Sequence, residues 1–238
     1  MGRPIAIFAG TALPLLLSAA LACAASAAAT PRRARQLCRT GHCHTIEESR
    51  EARLFRVTLM PRGYVSYNVV YGEDRRTGRV TTVLGGEVEA QPEIELPVIN
   101  GTYAAAVLVR SGKYNEEGAL VSIERVDLRT GRREITARPT SGPSEGRCDG
   151  GSPYKAPGIT DLLVTSKGTV AWIIGGIYDS VTHHPDLRNS RVCLLAAAAR
   201  TPTVLAAGDT IDARSLAATP ERLYWSEGGE PMTALLPG

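Results

Sequence analysis

The sequence predicts an all-β chain, an array of about four antiparallel sheets built on one recurring strand-and-turn pattern. Three observations carry the prediction. The turn sequence Asp74-Arg75-Arg76-Thr77-Gly78-Arg79 recurs as Asp127-Leu128-Arg129-Thr130-Gly131-Arg132, at an offset of 127 − 74 = 53 residues. A second pattern, an extended segment, a turn and a strand, overlays Gly101-Thr102-Tyr103 on Gly168-Thr169-Val170 and on Glu221-Arg222-Leu223, with a weaker copy over Ile46 to Phe55. Helical periodicity is weak throughout, whereas short β-branched runs end in Gly, Pro or Asp.

Residues 1–29 stand apart from the fold. Arg3 gives a basic start, Ile5 to Leu21 form an apolar run, and Ala25-Ser26-Ala27 and Ala27-Ala28-Ala29 offer cleavage sites. This reads as an export signal. The rival is an uncleaved anchor, given the apolar run to Ala29 and the basic Arg32-Arg33-Ala34-Arg35 behind it. Ala20-Leu21-Ala22 before Cys23 fits a lipid-modified cysteine poorly. No later segment is apolar for long enough to span a bilayer.

Without Arg3, 27 − 1 = 26 basic residues face 24 acidic ones, a net charge of +2. Lysine occurs only at 113, 155 and 167, so the cations are overwhelmingly arginine and scattered, which argues against a nucleic-acid partner. Residues 30–45 form an N-terminal cysteine-containing segment before the repeat domain at 46–238. Of the four cysteines left after Cys23, an exported chain is expected to make two disulfides. Three connectivities are open. Cys38–Cys43 with Cys148–Cys193 is favoured, the first because it closes a short local loop. A zinc site from Cys38, His42, Cys43 and His44 is the competing reading, but four ligands within seven residues cannot easily surround one ion.

The repeat copies lie at offsets of 50, 67 and 53 residues, from 51 to 101, 168 and 221. Uneven spacing near 50 suits propeller blades with loop insertions better than a solenoid. Units are expected at 45–86, 92–138, 158–206 and 211–236. In each turn Asp bonds the backbone two residues on, and Gly takes the left-handed conformation a bulged hairpin needs. Asn100-Gly101 reads as a two-residue hairpin closure, with the glycosylation motif Asn100-Gly101-Thr102 the weaker interpretation. Leu194 to Ala199 looks helical but precedes Arg200-Thr201-Pro202, where other units place Arg-Thr-Gly, so a strand is expected. Trp172, Trp225 and Tyr103 fall within strands and read as core.

These turns, the Gly-x-Val/Tyr-Ala strands and Leu223-Tyr224-Trp225 resemble the β-propeller superfamily of the TolB and WD-repeat kind. They are also similar to exported propeller proteins of high-GC bacteria. The resemblance implies the fold alone and carries over no functional residue. The array departs from the family in showing four units, the last without an obvious outermost strand, so it is either incomplete or closed by the N-terminal segment.

In a four-stranded meander, the first-to-second and third-to-fourth connections share one face, here all tight. The other face receives the long loops Gly86 to Glu95, Arg110 to Gly118, Arg138 to Pro157 and Gly175 to Ser190. Long loops on a rigid scaffold concentrate binding residues. Candidate contacts there are Tyr114, Glu116, Glu117, Asp149, Tyr154, Lys155, Tyr178, Asp179, His183 and His184. The Cys148–Cys193 bond would brace this face.

Catalytic signatures are weak. Gly142-Pro143-Ser144-Glu145-Gly146 matches G-x-S-x-G, but lies in a Pro/Gly-rich loop rather than between a strand and a helix. His183-His184-Pro185-Asp186 offers metal-binding or base chemistry, yet adjacent loop histidines usually face solvent. Neither a calcium-loop pattern nor a phosphate loop stands out, and no cofactor or metal is expected. The expectation is a secreted or cell-envelope binding scaffold for a protein or carbohydrate, non-catalytic, with no stable membrane span after signal cleavage. The alternatives are a hydrolase or lyase using Asp149, Asp179, His183 or His184 in a central funnel, and an envelope protein whose last blade pairs with another chain.

Overall fold

The structure is a computed structural model. It describes residues 31–39, 42–59, 67–84, 93–111, 119–137, 140–141, 148, 150–151, 157–177 and 190–237. A helix, α1 (Pro31–Arg39), comes first. Blade 1 comprises β1 (Cys43–Glu48), β2 (Ala52–Leu59), β3 (Tyr67–Asp74) and β4 (Arg79–Leu84). Blade 2 comprises β5 (Glu93–Asn100), β6 (Tyr103–Ser111), β7 (Ala119–Asp127) and β8 (Arg132–Ala137). A two-residue parallel pair follows, β9 (Thr140–Ser141) with β10 (Gly150–Gly151). Blade 3 holds β11 (Pro157–Val164), β12 (Val170–Ile177), β13 (Ser190–Leu195) and β14 (Thr203–Gly208). Blade 4 holds β15 (Ala217–Ala218), β16 (Arg222–Glu227) and β17 (Glu230–Leu235).

Each blade is a meander whose strands pair antiparallel in chain order. The expected units therefore coincide with the blades, and the last has three strands among the described residues. The fourth strand carries one extra residue at the same place in each complete blade: Val83, Thr136 and Leu205. Such bulges sharpen the local twist. They mark the repeat more faithfully than any residue identity does.

The two Asp-x-Arg-Thr-Gly turns are superposable in every bond. Asp74 Oδ1 accepts from the Arg76 amide at 2.9 Å and Asp127 Oδ1 from the Arg129 amide at 2.9 Å. Asp74 Oδ2 and Asp127 Oδ2 accept from the Thr77 and Thr130 hydroxyls at 2.8 and 2.9 Å. Gly78 and Gly131 take φ of 65° and 77° and donate to the carbonyls of Asp74 and Asp127, both at 2.7 Å. The residue after Asp ties the turn to the inner hairpin: Arg75 donates to the Glu51 carbonyl and Leu128 to the Thr102 carbonyl, each at 2.8 Å.

Two expectations are corrected. The blade 2 hairpin loop is Gly101-Thr102, since Asn100 pairs with Tyr103; Gly101, with φ of 59°, holds the first loop position, as a type II′ turn requires. In blade 3, Thr165 bonds Thr169, so Gly168 is instead the last residue of a three-residue loop. The overlay of Gly101 on Gly168 is thus displaced by one residue. Side-chain direction confirms this, because Ala104, Val170 and Leu223 all face the preceding blade. Second, β13 ends at Leu195, and Ala196 to Ala199 form a turn closed by a 3.0 Å bond from the Ala199 amide to the Ala196 carbonyl. Their position sets this, since a four-alanine run between two pairing strands must reverse the chain.

Buried clusters join the blades in series. Leu54, Val70 and Val83 of blade 1 pack on Ala104, Ala106 and Leu128 of blade 2. Ala105, Val107 and Ile123 pack on Leu162, Val170 and Trp172 of blade 3. Ala171, Ile173 and Val192 pack on Ile211, Leu223 and Trp225 of blade 4. Both tryptophans are core, as expected, whereas Tyr103 is half-buried. The remaining face of blade 1, with Phe55, Val57 and Tyr71, is covered by α1 through Ala34, Leu37 and Cys38. That i, i+3, i+4 stripe, and a proline at the first helical position, explain a helix no wide periodicity signalled.

Candidate functional site

The predicted contact residues Tyr114, Glu116, Glu117, Asp149, Tyr154, Lys155, Tyr178, Asp179, His183 and His184 lie outside the described residues, and so does the Gly142 to Gly146 motif. What the structure does place are the strand ends they connect. Ser111 pairs with Ala119 at the end of blade 2 opposite its Asn100–Tyr103 turn. In blade 3, Ile174 pairs with Arg191 at the end opposite the Thr165 turn. Both disulfides are present, Cys38–Cys43 with Cα atoms 4.8 Å apart and Cys148–Cys193 at 5.7 Å. Cys148 is buried and belongs, with Cys193, to the cluster between blades 2 and 3. The connection between these blades is thus fastened to the core at its middle, and paired with itself where β9 meets β10.

The opposite rim, formed by the tight turns, is described in detail and holds residues the sequence reading passed over. Each of the two Asp-x-Arg-Thr-Gly turns is overlaid by an arginine from the helix or blade before it. The Arg35 guanidinium of α1 lies beside Gly78, 3.7 Å from where a Cβ would stand. The Arg79 guanidinium lies over Gly131, 2.7 Å from the corresponding point, and donates to the Arg129 carbonyl at 3.5 Å. Arg125, buried in β7, donates to the carbonyls of Gly168 and Ala197 and to Glu134, joining blade 2 to two turns of blade 3. The Tyr103 ring lies so close to Gly168 that a Cβ there would meet it at 2.8 Å. Only the turns' glycines let these side chains approach.

Tyr103, Arg125, Asp127, Arg132, Glu134 and Ala197 line a cleft of about 100 Å³ on this rim, roomy enough for a few waters. Its charges are mutually engaged: Glu134 pairs with Arg125 and, at 2.8 Å, with Arg132. The Arg125 hydrogen bond, with the charges of Arg125 and Arg132, holds the Glu134 carboxyl below its ordinary range against the opposing effect of burial. At Asp74 burial pushes upward, but the bonds from Thr77 and Arg76 and the charge of Arg76 outweigh it and lower the carboxyl. Carboxylates held ionised and bonded fasten turns; they do not exchange protons near neutrality.

Two other carboxylates are shifted upward, chiefly by burial. Glu47 on β1 accepts from the Ile99 amide on β5 at 3.0 Å. Asp161 on β11 accepts from the Leu216 amide at 2.8 Å and the Leu162 amide at 3.0 Å. Each sits at a bulge in a first strand and satisfies an amide of the next blade. First strands are edge strands, so their outward amides need such partners. Among the described residues no group of three His, Cys, Asp or Glu is placed to hold a metal ion.

Of these arginines, Arg79 alone was detectable in principle. Arg79 and Arg132 occupy the same place in both turn copies, and a charge repeated at fixed register signals a shared geometric task. Scatter in sequence concealed adjacency in space. None of the ion pairs among the described residues engages Arg35 or Arg79, so two guanidiniums of this rim stand without a paired carboxylate.

No family model matches the chain, and no curated protein matches it in sequence. Among solved structures it is similar to the tricorn protease, with a TM-score of 0.43, 13% identity, and coverage of 76% of this chain and 14% of that one. The β-propeller domain of the Trilobed protease from Pyrococcus furiosus gives 0.42, 9%, 81% and 57%. The endo-arabinase from Bacteroides thetaiotaomicron VPI-5482 gives 0.34, 10%, 80% and 72%. The chain spans 14% and 57% of the first two. Strand order, the repeated bulge and the serial clusters carry the architecture: over its described residues the chain is an all-β, propeller-like array of four antiparallel blades.

Proposed function

We propose that the chain is an exported, non-catalytic scaffold that binds a protein or glycan through its long-loop face, with residues 1–29 as the export signal. The observation that carries this reading is the Cys148–Cys193 bond, which roots a long inter-blade connection in the core between blades 2 and 3. Two disulfides suit an oxidising compartment outside the cytoplasm. A braced connection keeps its contact residues in place and lowers the ordering cost of binding. The test is a binding screen of the purified, oxidised protein on immobilised polysaccharides and cell-envelope proteins. Alanine at Tyr154, Tyr178 and His183 together should weaken the captured ligand at least tenfold; unchanged binding would sink the assignment. Turnover of a polysaccharide or ester that His183→Ala abolishes would establish the enzymatic alternative instead.

The arginine rim favours a second reading, an acidic polysaccharide held on the turn face. Binding would then weaken steeply with salt and fall on Arg79→Glu while surviving the three loop substitutions. Salt-insensitive binding excludes it.

A further inference from the structure

Among the described residues the last blade has three strands, and the outer edge of the third has a specific character. In blades 1 to 3 the third strand is covered by an antiparallel fourth. In blade 4 the third strand is β17, and no strand pairs with its far edge among the described residues. The exposed large hydrophobic residues among those described are Met232 and Leu235, at 40% and 70% exposure, and both belong to β17. A strand whose neighbour is missing leaves this signature: unpaired amides beside apolar side chains open to water.

The direction of each amide follows from the pairing. Glu227 and Glu230 close the two-residue turn Gly228-Gly229, and the Leu236 amide donates back to the Glu221 carbonyl at 2.8 Å. Backbone groups alternate along a strand, so even-numbered residues turn toward β16 and odd-numbered ones toward the open edge. The outward positions are therefore 231, 233, 235 and 237. Pro231 and Pro237 have no amide hydrogen, which leaves two donors, at Thr233 and Leu235, bracketed by prolines.

We infer that this edge pairs with the same edge of a second copy, antiparallel about a two-fold axis at Thr233. Self-complementarity supports the assignment. In this register, residues whose numbers sum to 466 face each other. Each Thr233 amide meets the partner copy's Thr233 carbonyl, and each Leu235 amide meets a Pro231 carbonyl. Both available donors on each copy are satisfied, while the Leu235 carbonyl, opposite Pro231, meets no donor, so each pairing has one bond at each end rather than two. Met232 faces Ala234 and Leu235 faces Pro231, covering the exposed side chains twice over. Glu230, the one charge on the strand, faces Leu236, so like charges never meet. The two-fold contact uses up the open edge of each copy, so the product is a closed pair rather than a fibre.

An edge-to-edge contact stands at the small end of specific interfaces, which puts its dissociation constant at roughly the micromolar, weak end of their range. Sedimentation velocity of the oxidised chain across concentrations should show a monomer–dimer equilibrium. Thr233→Pro removes the central donor, keeps the backbone bonds to β16 but loses the 3.0 Å bond from the Thr233 hydroxyl to the Leu223 carbonyl, and should weaken the dimer at least tenfold; Leu235→Lys, which leaves that bond in place, should do the same by charging the edge. Circular dichroism verifies that each remains folded, and if Thr233→Pro does not, Leu235→Lys decides. Thr233→Cys should cross-link two copies under mild oxidation, because residue 233 faces itself at a separation a disulfide can span. A wild-type monomer up to about 0.5 mM, well above that range, overturns the inference and leaves the edge to another chain or segment. So does a dimer that Leu235→Lys leaves intact, or one that Thr233→Cys fails to cross-link.

Discussion

Leu128 offers the sharpest test of how blades 1 and 2 meet. It is fully buried, although it belongs to an exposed turn and its counterpart in the first copy is the exposed Arg75. Its side chain occupies the place a Cβ would take on Gly72 of β3, 2.3 Å from Cδ2 and 2.8 Å from Cδ1. Leu128→Ala removes that filling and should cost about 3 kcal/mol, within the range for buried leucine. For a domain of this size that lowers Tm by roughly 6–12 °C. Gly72→Ala overpacks the same contact and should cost about 2 kcal/mol. The double substitution is the informative one. The new methyl at 72 enters the space vacated at 128, so the pair should cost about 2–3 kcal/mol rather than the sum of about 5, a coupling of about 2 kcal/mol. Urea unfolding followed by fluorescence of the buried Trp172 and Trp225 measures all three. Costs that add within about 0.5 kcal/mol would refute the contact, and with it the face-to-face packing of the first two blades.

Arg125→Ala strips the bonded partner from Glu134 and from the carbonyls of Gly168 and Ala197, so a loss of about 3 kcal/mol is expected in the same unfolding assay. Reduction of the two disulfides should have unequal effects. By loop-closure entropy, removing Cys148–Cys193, separated by 45 residues, costs roughly 4 kcal/mol, and removing Cys38–Cys43, separated by 5, costs roughly 2 kcal/mol, as paired Cys→Ala variants would show. The carboxylates predict opposite pH dependences. Asp74 and Glu134 have depressed folded-state values, so their stabilisation is complete above the unfolded values of 3.8 and 4.5 and is lost as pH falls through the lower folded ones. Glu47 and Asp161 are raised, so stability declines as pH climbs from 4.5 and 3.8 through their higher folded values; Glu134→Gln should flatten the acid limb, and Asp161→Asn should remove part of that decline.

How much of this was legible depends on whether a residue's task is local. The Asp-x-Arg-Thr-Gly turns were readable because the bonds of the Asp side chain and of the Gly amide, which set their shape, lie within five residues. Blade limits followed, since turns punctuate a meander. The one-residue displacement between the Gly101 and Gly168 hairpins was not readable: two glycines with positive φ serve different loop lengths, and only the face each strand presents separates them. The helix α1 escaped notice because nine residues hold barely two turns of periodicity, and its apolar stripe acquires meaning only against Phe55 and Tyr71. Arg125 was one of many scattered arginines. Its buried role needs Gly168 and Ala197, respectively 43 and 72 residues away. The disulfide pairing was legible because four cysteines limited it to three choices.

The two ends of the described array are finished in different ways, and the difference follows from what each exposes. Blade 1 presents Phe55, Val57, Val69 and Tyr71 on its outer side, a surface that water would make unfavourable by several kcal/mol at ~25 cal/mol per Å². A nine-residue helix is unstable by itself. Held by Cys38–Cys43, and with Arg53 reaching from over the Phe55 ring to Cys38 Sγ, α1 covers that surface. Blade 4 needs no such cover on its outer side, where Arg222, Tyr224 and Ser226 alternate with the inward Leu223 and Trp225. What it leaves open is an edge rather than a face. Stacked repeats require polar or covered termini to remain soluble, and the chain meets this with a stapled helix at one end and a polar sheet at the other. The apolar pair Met232 and Leu235 breaks that rule at one place, on a strand already paired with β16 on its other side and so open to a single partner, which is why the exception reads as an interface rather than a defect.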